Sequence, residues 1–254
     1  MKDLYERRRG IDTGGTLYLD DLGVETDGDD RVFYHPHQWI TLRSALRTLS
    51  PGPKDVFVDI GCGKGQAVVV ASELPFGRVI GVDIAAELCD IARQNMGQEK
   101  VRARQRAKEV DIVHADATQW PIPSDLTVAF LYCPFLGEHF DRFIDRLVAS
   151  YDENPRPLRI LYSLPWLHNK LLATGRFAVV DVRSQRFPTR PGWWENAQVI
   201  VTYEIIPEGA PWPEPLERRG LERSKALARW SRPNDTRFEL YNDDGLLRAS
   251  GGES

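Results

Sequence analysis

The sequence predicts an α/β domain on a doubly wound, mostly parallel sheet of seven strands, with an antiparallel last strand. Three observations carry this expectation. The apolar run Asp55-Val56-Phe57-Val58-Asp59-Ile60 leads straight into the glycine turn Gly61-Cys62-Gly63-Lys64-Gly65, a join with which parallel α/β sheets grip a nucleoside-containing ligand. Beyond it, short apolar strand patterns alternate with helical ones as far as Val182. Finally, two strand patterns, Phe177 to Val182 and Gln198 to Ile206, are separated by a polar, proline-containing stretch, Ser184 to Ala197, with no helical period. That spacing suits an antiparallel pair closing the sheet.

Each element follows from its pattern. Residues 1–50 mix a Gly- and Asp-rich section, Asp12-Thr13-Gly14-Gly15 through Asp27-Gly28-Asp29-Asp30, with a helical stretch from His37 to Leu49 carrying Trp39, Ile40, Leu42, Leu46 and Leu49. We read them as an N-terminal cap over the pocket. After the first strand, Lys64 to Leu74 predicts a helix, Arg78 to Asp83 a buried strand, and Ala86 to about Arg104 a second helix with Leu88, Ile91 and Ala92 inward, which together make a βαβ unit. Strands at Asp111–Asp116 and Leu126–Tyr132 come next, then a helix from Gly137 to Ser150 with Phe140, Phe143, Ile144, Leu147 and Val148 at helical spacing. A strand at Leu158–Leu164 and a short helix near His168–Ala173 precede the closing pair. The central domain is thus expected over residues 51–207, and residues 208–254 form a polar tail rich in proline and in charges of both signs, with Trp212, Trp230, Phe238 and Tyr241 among them.

Bulk properties exclude several classes. With 254 residues the chain buries an ample core without staples. A net charge of -4 gives no general basic footprint, so nucleic acid is not the expected main partner, although a local patch is compatible with it. Cys62, Cys89 and Cys133 form no C-x-x-C pair, so neither a metal cage nor a disulfide framework is expected, and a reducing cytoplasm fits best. No run approaches the roughly 20 apolar residues of a membrane span, and the expected protein is soluble, its oligomeric state open. Twenty-six arginines to seven lysines fit a GC-rich bacterial genome.

Three acids bear on the ligand. Asp59 stands two residues before the first glycine, where a dinucleotide pyrophosphate would gain nothing from a carboxylate but a ligand ammonium would. Asp83 ends the second strand about twenty residues past the turn and can accept both hydroxyls of a ribose, or cap the helix that follows. Asp116, in His114-Ala115-Asp116-Ala117-Thr118, can receive the exocyclic amine of adenine or form a turn. A dehydrogenase would need a third glycine three residues after the second; Gln66 holds that place and Gly65 comes one residue early. An NAD-dependent oxidoreductase is therefore the distant alternative. A non-catalytic binding module on the same fold is another, one with no physical need for the turn and the acids.

The ordered set Asp59/Gly61/Gly63, Asp83 and Asp116 resembles the class I S-adenosylmethionine-dependent methyltransferases, over roughly residues 55–206. With Leu131-Tyr132-Cys133-Pro134-Phe135, it looks like a subgroup of small bacterial methyltransferases with a glycine motif similar to the histone-lysine type. The resemblance implies the Rossmann-like methyltransferase fold with S-adenosylmethionine as cofactor. It implies that Asp59, Gly61 and Gly63 hold the methionine end, Asp83 the ribose, Asp116 with Ala117 the adenine, and Ile84 the adenine face. Tyr132 would lie beside the sulfonium, where an aromatic face contributes a cation–π contact. In N-methylating relatives the place of Cys133 is usually Asn or Asp, whose oxygen accepts from the amine; cysteine is a weak acceptor. An oxygen acceptor on a small molecule or peptide side chain is therefore slightly preferred, or Cys133 is simply a small apolar residue at a strand end.

Methyl transfer from a sulfonium needs alignment above all, and a base only where the acceptor must lose a proton. His139 and His168 follow the carboxyl ends of strands and are the weak candidates for a base, together with Tyr34 if the cap folds over the pocket; surface or capping roles compete for both histidines. His35 and His37 could line the same pocket, and His114 sits inside a strand pattern as a structural residue. Trp193 and Trp194 form either a substrate wall or a loop anchor. Arg7-Arg8-Arg9 and Arg102, Arg104 and Arg106 read as solvated surface.

Overall fold

The computed structural model describes residues 4–18, 20–22, 24, 33–34, 39–184 and 199–211, with Phe33, Tyr34 and Ser184 as backbone only. Helix α1 (Leu4–Arg9) and a two-residue antiparallel ladder of β1 (Leu17–Tyr18) with β2 (Phe33–Tyr34) precede helix α2 (Trp39–Thr48). The main sheet is built from β3 (Val56–Ile60), β4 (Arg78–Asp83), β5 (Glu109–His114), β6 (Val128–Tyr132), β7 (Arg159–Ser163), β8 (Phe177–Ser184) and β9 (Val199–Ile205). Helices α3 (Gln66–Ser72), α4 (Ala86–Gly97), α5 (Glu99–Arg102), α6 (Gly137–Glu153) and α7 (His168–Ala173) connect them. Among the described residues, no helix is long and apolar enough to cross a membrane.

The seven strands lie in the order β5-β4-β3-β6-β7-β9-β8. Strands β3 to β7 are parallel, and β9 runs antiparallel between β7 and β8. The chain leaves β3 toward β4 on one side and returns as β6 on the other. That reversal makes the carboxyl ends of β3 and β6 the topological switch point, where open α/β sheets bind ligands.

Side-chain alternation divides the core between the two faces. Val56, Val58 and Ile60 of β3, Ala129 and Leu131 of β6, and Ile160 and Tyr162 of β7 join one cluster with Phe140, Phe143 and Leu147 of α6. Phe57, Val79, Phe130 and Leu161 face the other way and pack on Leu42, Leu46, Val68 and Val69 of α2 and α3. Asp59 has the parity of Phe57, so it belongs to the α2/α3 face.

Several boundaries depart from the sequence expectation for local reasons. The first helix starts at Gln66 instead of Lys64 because Gly65 adopts left-handed φ of 79° at its N-cap. The predicted single helix from Ala86 to Arg104 breaks after Gly97, where Gln98 turns extended with ψ 131°, and resumes as α5. Ile40, expected inward, is 57% exposed, while Thr41 and Ala45 are buried. Strand β8 carries an irregularity between Val179 and Asp181 where it pairs with β9.

Candidate active site at the carboxyl edge of the sheet

The turn after β3 folds back on β4. The amides of Gly61 and Cys62 both donate to the Val82 carbonyl, at 2.8 and 2.9 Å. Gly61 has φ 74°, and a Cβ there would stand 2.8 Å from Pro134 Cβ; Gly65 has φ 79°, and its Cβ would meet Ala92 Cβ at 2.9 Å. Only glycine fits both demands, a left-handed backbone and a close neighbour. The same turn is thereby pressed between the segment after β6 and helix α4.

Asp59 and Asp83 come together on this face. Asp59 pairs in register with Gly81, so Asp83 is its diagonal neighbour on the adjacent strand. Asp83 Oδ2 accepts from the Gly63 amide at 2.7 Å and Oδ1 from the Ala85 amide at 2.9 Å. Each oxygen keeps a further lone pair. The carboxylate straps the glycine turn to the start of α4, although α4 itself begins at an N-cap, Ala85, without a side-chain hydrogen bond. Burial raises the Asp83 pKa, opposed by the amides of Ala85 and Gly63.

Asp59 is 3% exposed, and no described residue donates a hydrogen bond to its carboxylate. Burial raises its pKa well above the ordinary value, and the neighbouring Asp83 adds to the rise. A buried acid without a donor is costly, so its presence at a switch point needs a ligand to explain it. A cationic ammonium supplies both missing charge and missing donors.

The other sequence candidates lie around this pair. Asp116 follows β5, and its Oδ1 accepts from the amide and the hydroxyl of Thr118 at 2.8 and 2.7 Å, forming the turn; Oδ2 stands 3.3 Å from Gln119 Nε2. Ala117 is buried and Ile84 half-buried. His114 Nε2 lies 3.0 Å from the Ile84 carbonyl, anchoring the residue after Asp83. Tyr132 is half-buried against the α2/α3 cluster, on the side of Asp59. Cys133 belongs to the opposite cluster and has left-handed φ of 44°. Its thiol donates to the Leu164 carbonyl at 3.1 Å, and burial raises its pKa, so it stays a neutral thiol.

Of the histidines, His168 is turned away from the glycine turn into the α6/α7 side. Its Nδ1 and the Tyr203 hydroxyl are hydrogen-bonded at 2.6 Å, and burial lowers its pKa to about 4. His139 is half-buried in the first turn of α6. The side chain of Tyr34, together with His35, His37, Trp193, Trp194 and the tail from Trp212, lies outside the described residues.

An N-terminal layer lies over the turn, held by contacts that the sequence reading did not name. Lys64 Nζ donates to the Gly14 carbonyl at 2.7 Å. Asn95 Nδ2 donates to the carbonyls of Lys64 and Asp12 at 2.9 and 3.0 Å, and its Oδ1 accepts from the Asp12 amide at 3.0 Å. Thr13 donates from amide and hydroxyl to Glu6 Oε1 at 2.9 and 2.6 Å. The one available signal was Asn95 on the Leu88/Ala92 face of α4, where a polar residue is buried only if it is paired.

The middle of the chain resembles known proteins. Residues 57–152 match the family model of a methyltransferase domain. Over these residues the chain is similar to methyltransferase domains. Trans-aconitate 2-methyltransferase of Azoarcus sp. (strain BH72) is 35% identical over 95 residues, covering 34% of this chain and 38% of that protein. Ribosomal protein L11 methyltransferase of Burkholderia mallei (strain NCTC 10229) is 27% identical over 152 residues, 60% of this chain and 39% of that one. The chain thus spans less than two-fifths of the length of these curated relatives. An RNA methyltransferase from Salinibacter ruber, solved with S-adenosyl-L-homocysteine, superposes with a TM-score of 0.44 at 20% identity, over 69% of this chain and 96% of that one. The matched residues 57–152 contain the glycine turn, Asp59, Asp83, Asp116 and Tyr132.

Proposed function

We propose that the chain binds S-adenosylmethionine at the switch point and methylates an oxygen of a small molecule or a peptide side chain. The observation that carries the cofactor assignment is the buried Asp59 carboxylate, without a described hydrogen-bond donor, one strand away from the amide-strapped Asp83. Asp59 would hold the ammonium, Asp83 would accept the ribose hydroxyls on its remaining lone pairs, and Ile84 and Ala117 would border the adenine. Asp116 Oδ1 forms its turn, and Oδ2, which accepts from Gln119 Nε2 at 3.3 Å, would also receive the exocyclic amine. When bound, S-adenosylmethionine supplies a methyl group on a sulfonium leaving group.

The preference for oxygen rests on Cys133. Its thiol hydrogen is committed to the Leu164 carbonyl, and sulfur is a weak acceptor for an incoming amine. A carboxylate acceptor is already anionic at neutral pH and needs no base, in keeping with a His168 ring engaged by Tyr203. The relative named for trans-aconitate and the one named for a ribosomal protein support an acceptor of small-molecule or peptide type.

Tritium-labelled S-adenosylmethionine, incubated with the chain and with separate metabolite, peptide and RNA fractions of a bacterial extract, tests this reading. Label is expected in the metabolite or peptide fraction, and mild alkali releases it as methanol if the product is a carboxylate ester. Alkali-stable label on nitrogen, or label in RNA alone, would overturn the acceptor assignment.

A further inference from the structure

At the opposite edge of the sheet, five arginines that are far apart in sequence meet. A cleft of about 600 Å³ is lined by Arg9 of α1, Arg43 and Arg47 of α2, and Arg104 and Arg106 of the segment between α5 and β5, with Glu73 after α3. Glu73 is the one acid among these lining residues, and it is saturated. Its Oε1 takes the Arg9 guanidinium through Nε and Nη2, and its Oε2 takes Arg43 Nη1 at 3.0 Å. Arg9 is additionally fixed by stacking on Tyr5, with Cζ 3.3 Å from the ring centroid, and Tyr5 stacks on Trp39 at 3.9 Å. The inner wall is therefore a fixed cation–acid–cation unit in which Arg9 and Glu73 are buried and Arg43 is half-buried.

Arg47, Arg104 and Arg106 are exposed at the rim. Arg104 Nη1 donates to the Lys100 carbonyl at 2.8 Å, and the Arg106 amide anchors its backbone to the Ser72 carbonyl at 2.7 Å. No described carboxylate pairs with any of the three guanidiniums. Five positive charges thus face one negative charge in a single concavity of a chain whose net charge is -4. Such a focus of like charge in a cleft attracts an anion from solution. Guanidinium forks match phosphate oxygens two at a time.

We propose that this cleft is a binding site for a phosphate-bearing anion, separate from the methyl-transfer site. Strand β4 runs from Arg78, near this edge, to Asp83 at the cofactor edge, a rise of about 17 Å at ~3.3 Å per residue. Phosphates seated here therefore do not touch the cofactor. Free polyphosphate and a nucleic-acid backbone present the same groups, and rim arginines on one side of a buried pair serve either.

Titration calorimetry on the full chain with pyrophosphate, and fluorescence anisotropy with a labelled 12-nucleotide single-stranded RNA, test the proposal. The comparison is between the wild type and the rim variant Arg47→Gln/Arg106→Gln, each at low and moderate salt. Binding of one probe, weakened at least tenfold in the rim variant and by added salt, is expected. Binding of pyrophosphate without RNA assigns the site to a free polyphosphate; RNA binding that pyrophosphate displaces assigns it to a nucleic acid. Binding of neither probe, or equal binding by wild type and rim variant, would overturn it. Because neither arginine touches the switch point, S-adenosylhomocysteine affinity is expected to be the same in both proteins, which separates failure here from failure of the methyltransferase reading.

Discussion

Replacing Asp59 by asparagine separates what this carboxylate costs the fold from what it gives the ligand. Asp59 is 3% exposed, has no described hydrogen-bond donor, and faces Asp83. Its pKa in the folded chain is raised, chiefly by burial. The folded form therefore favours the protonated acid, and the stability lost to Asp59 grows as pH climbs from the ordinary carboxylate value of about 3.9 toward the raised folded value. Asparagine has the same shape and never ionises. We expect Asp59→Asn to melt like the wild type near pH 4 and to be more stable by about 1–2 kcal/mol at pH 8, within the usual range for removing such a functional burden. For a chain of this size that is a rise in Tm of about 2–8 °C. Binding moves the other way. Losing one partner of a buried charged pair costs about 2–5 kcal/mol, so S-adenosylhomocysteine affinity should fall at least ~30-fold. In the wild type, pairing with the ammonium favours the ionised acid, so binding should release a proton, and affinity should rise with pH through the same window. Thermal melts at pH 4, 6 and 8 with calorimetry in two buffers of different ionisation enthalpy provide the assay. A variant less stable than the wild type at pH 8, or one that binds within threefold of it, would refute the reasoning.

Three further outcomes follow from packing. Glu73→Gln leaves the buried Arg9 and its neighbour Arg43 uncompensated, which should destabilise by about 3 kcal/mol, read as a lower denaturant midpoint; an unchanged midpoint would contradict the paired hub. Gly61→Ala places a Cβ 2.8 Å from Pro134 Cβ on a backbone of φ 74°, and should cost about 1–3 kcal/mol, seen as a fall in Tm with weaker cofactor binding. Lys64→Met removes the bond to Gly14; faster limited proteolysis within residues 10–16, at nearly constant Tm, is expected, and an unchanged cleavage rate would contradict a role for Lys64 in holding the N-terminal layer.

Much of the sheet was legible because its signals are local. Val56-Phe57-Val58 reads as buried on both faces, Gly61 and Gly65 announce a left-handed turn, and the unpatterned stretch between the last two strand patterns excludes a crossover helix. The proximity of Asp59 to Asp83 followed from strand order once β3 and β4 were taken as neighbours. What was not legible depends on contacts between distant segments. Nothing around Arg9, Arg47 or Arg106 says that three surface-like arginines share one cleft, since α1, α2 and the β5 approach are brought together by long-range contacts such as those of Glu73 and Ser72. The thiol direction of Cys133 depends on a left-handed φ that a cysteine does not advertise. The bond between His168 and Tyr203 depends on β9 inserting beside β7. Asp116 forms the turn that the sequence offered as one alternative, because Thr118 two residues on captures one oxygen, while Gln119 donates to the other.

The most direct test of a methyl-donor site built on Asp59 and Asp83 is calorimetry of S-adenosylhomocysteine with the full chain and with Asp83→Ala, folding of each verified by circular dichroism. One-to-one binding by the wild type and its loss in Asp83→Ala is the expected result. A folded wild type that gives no binding heat, or an Asp83→Ala variant that binds as the wild type does, would contradict the assignment.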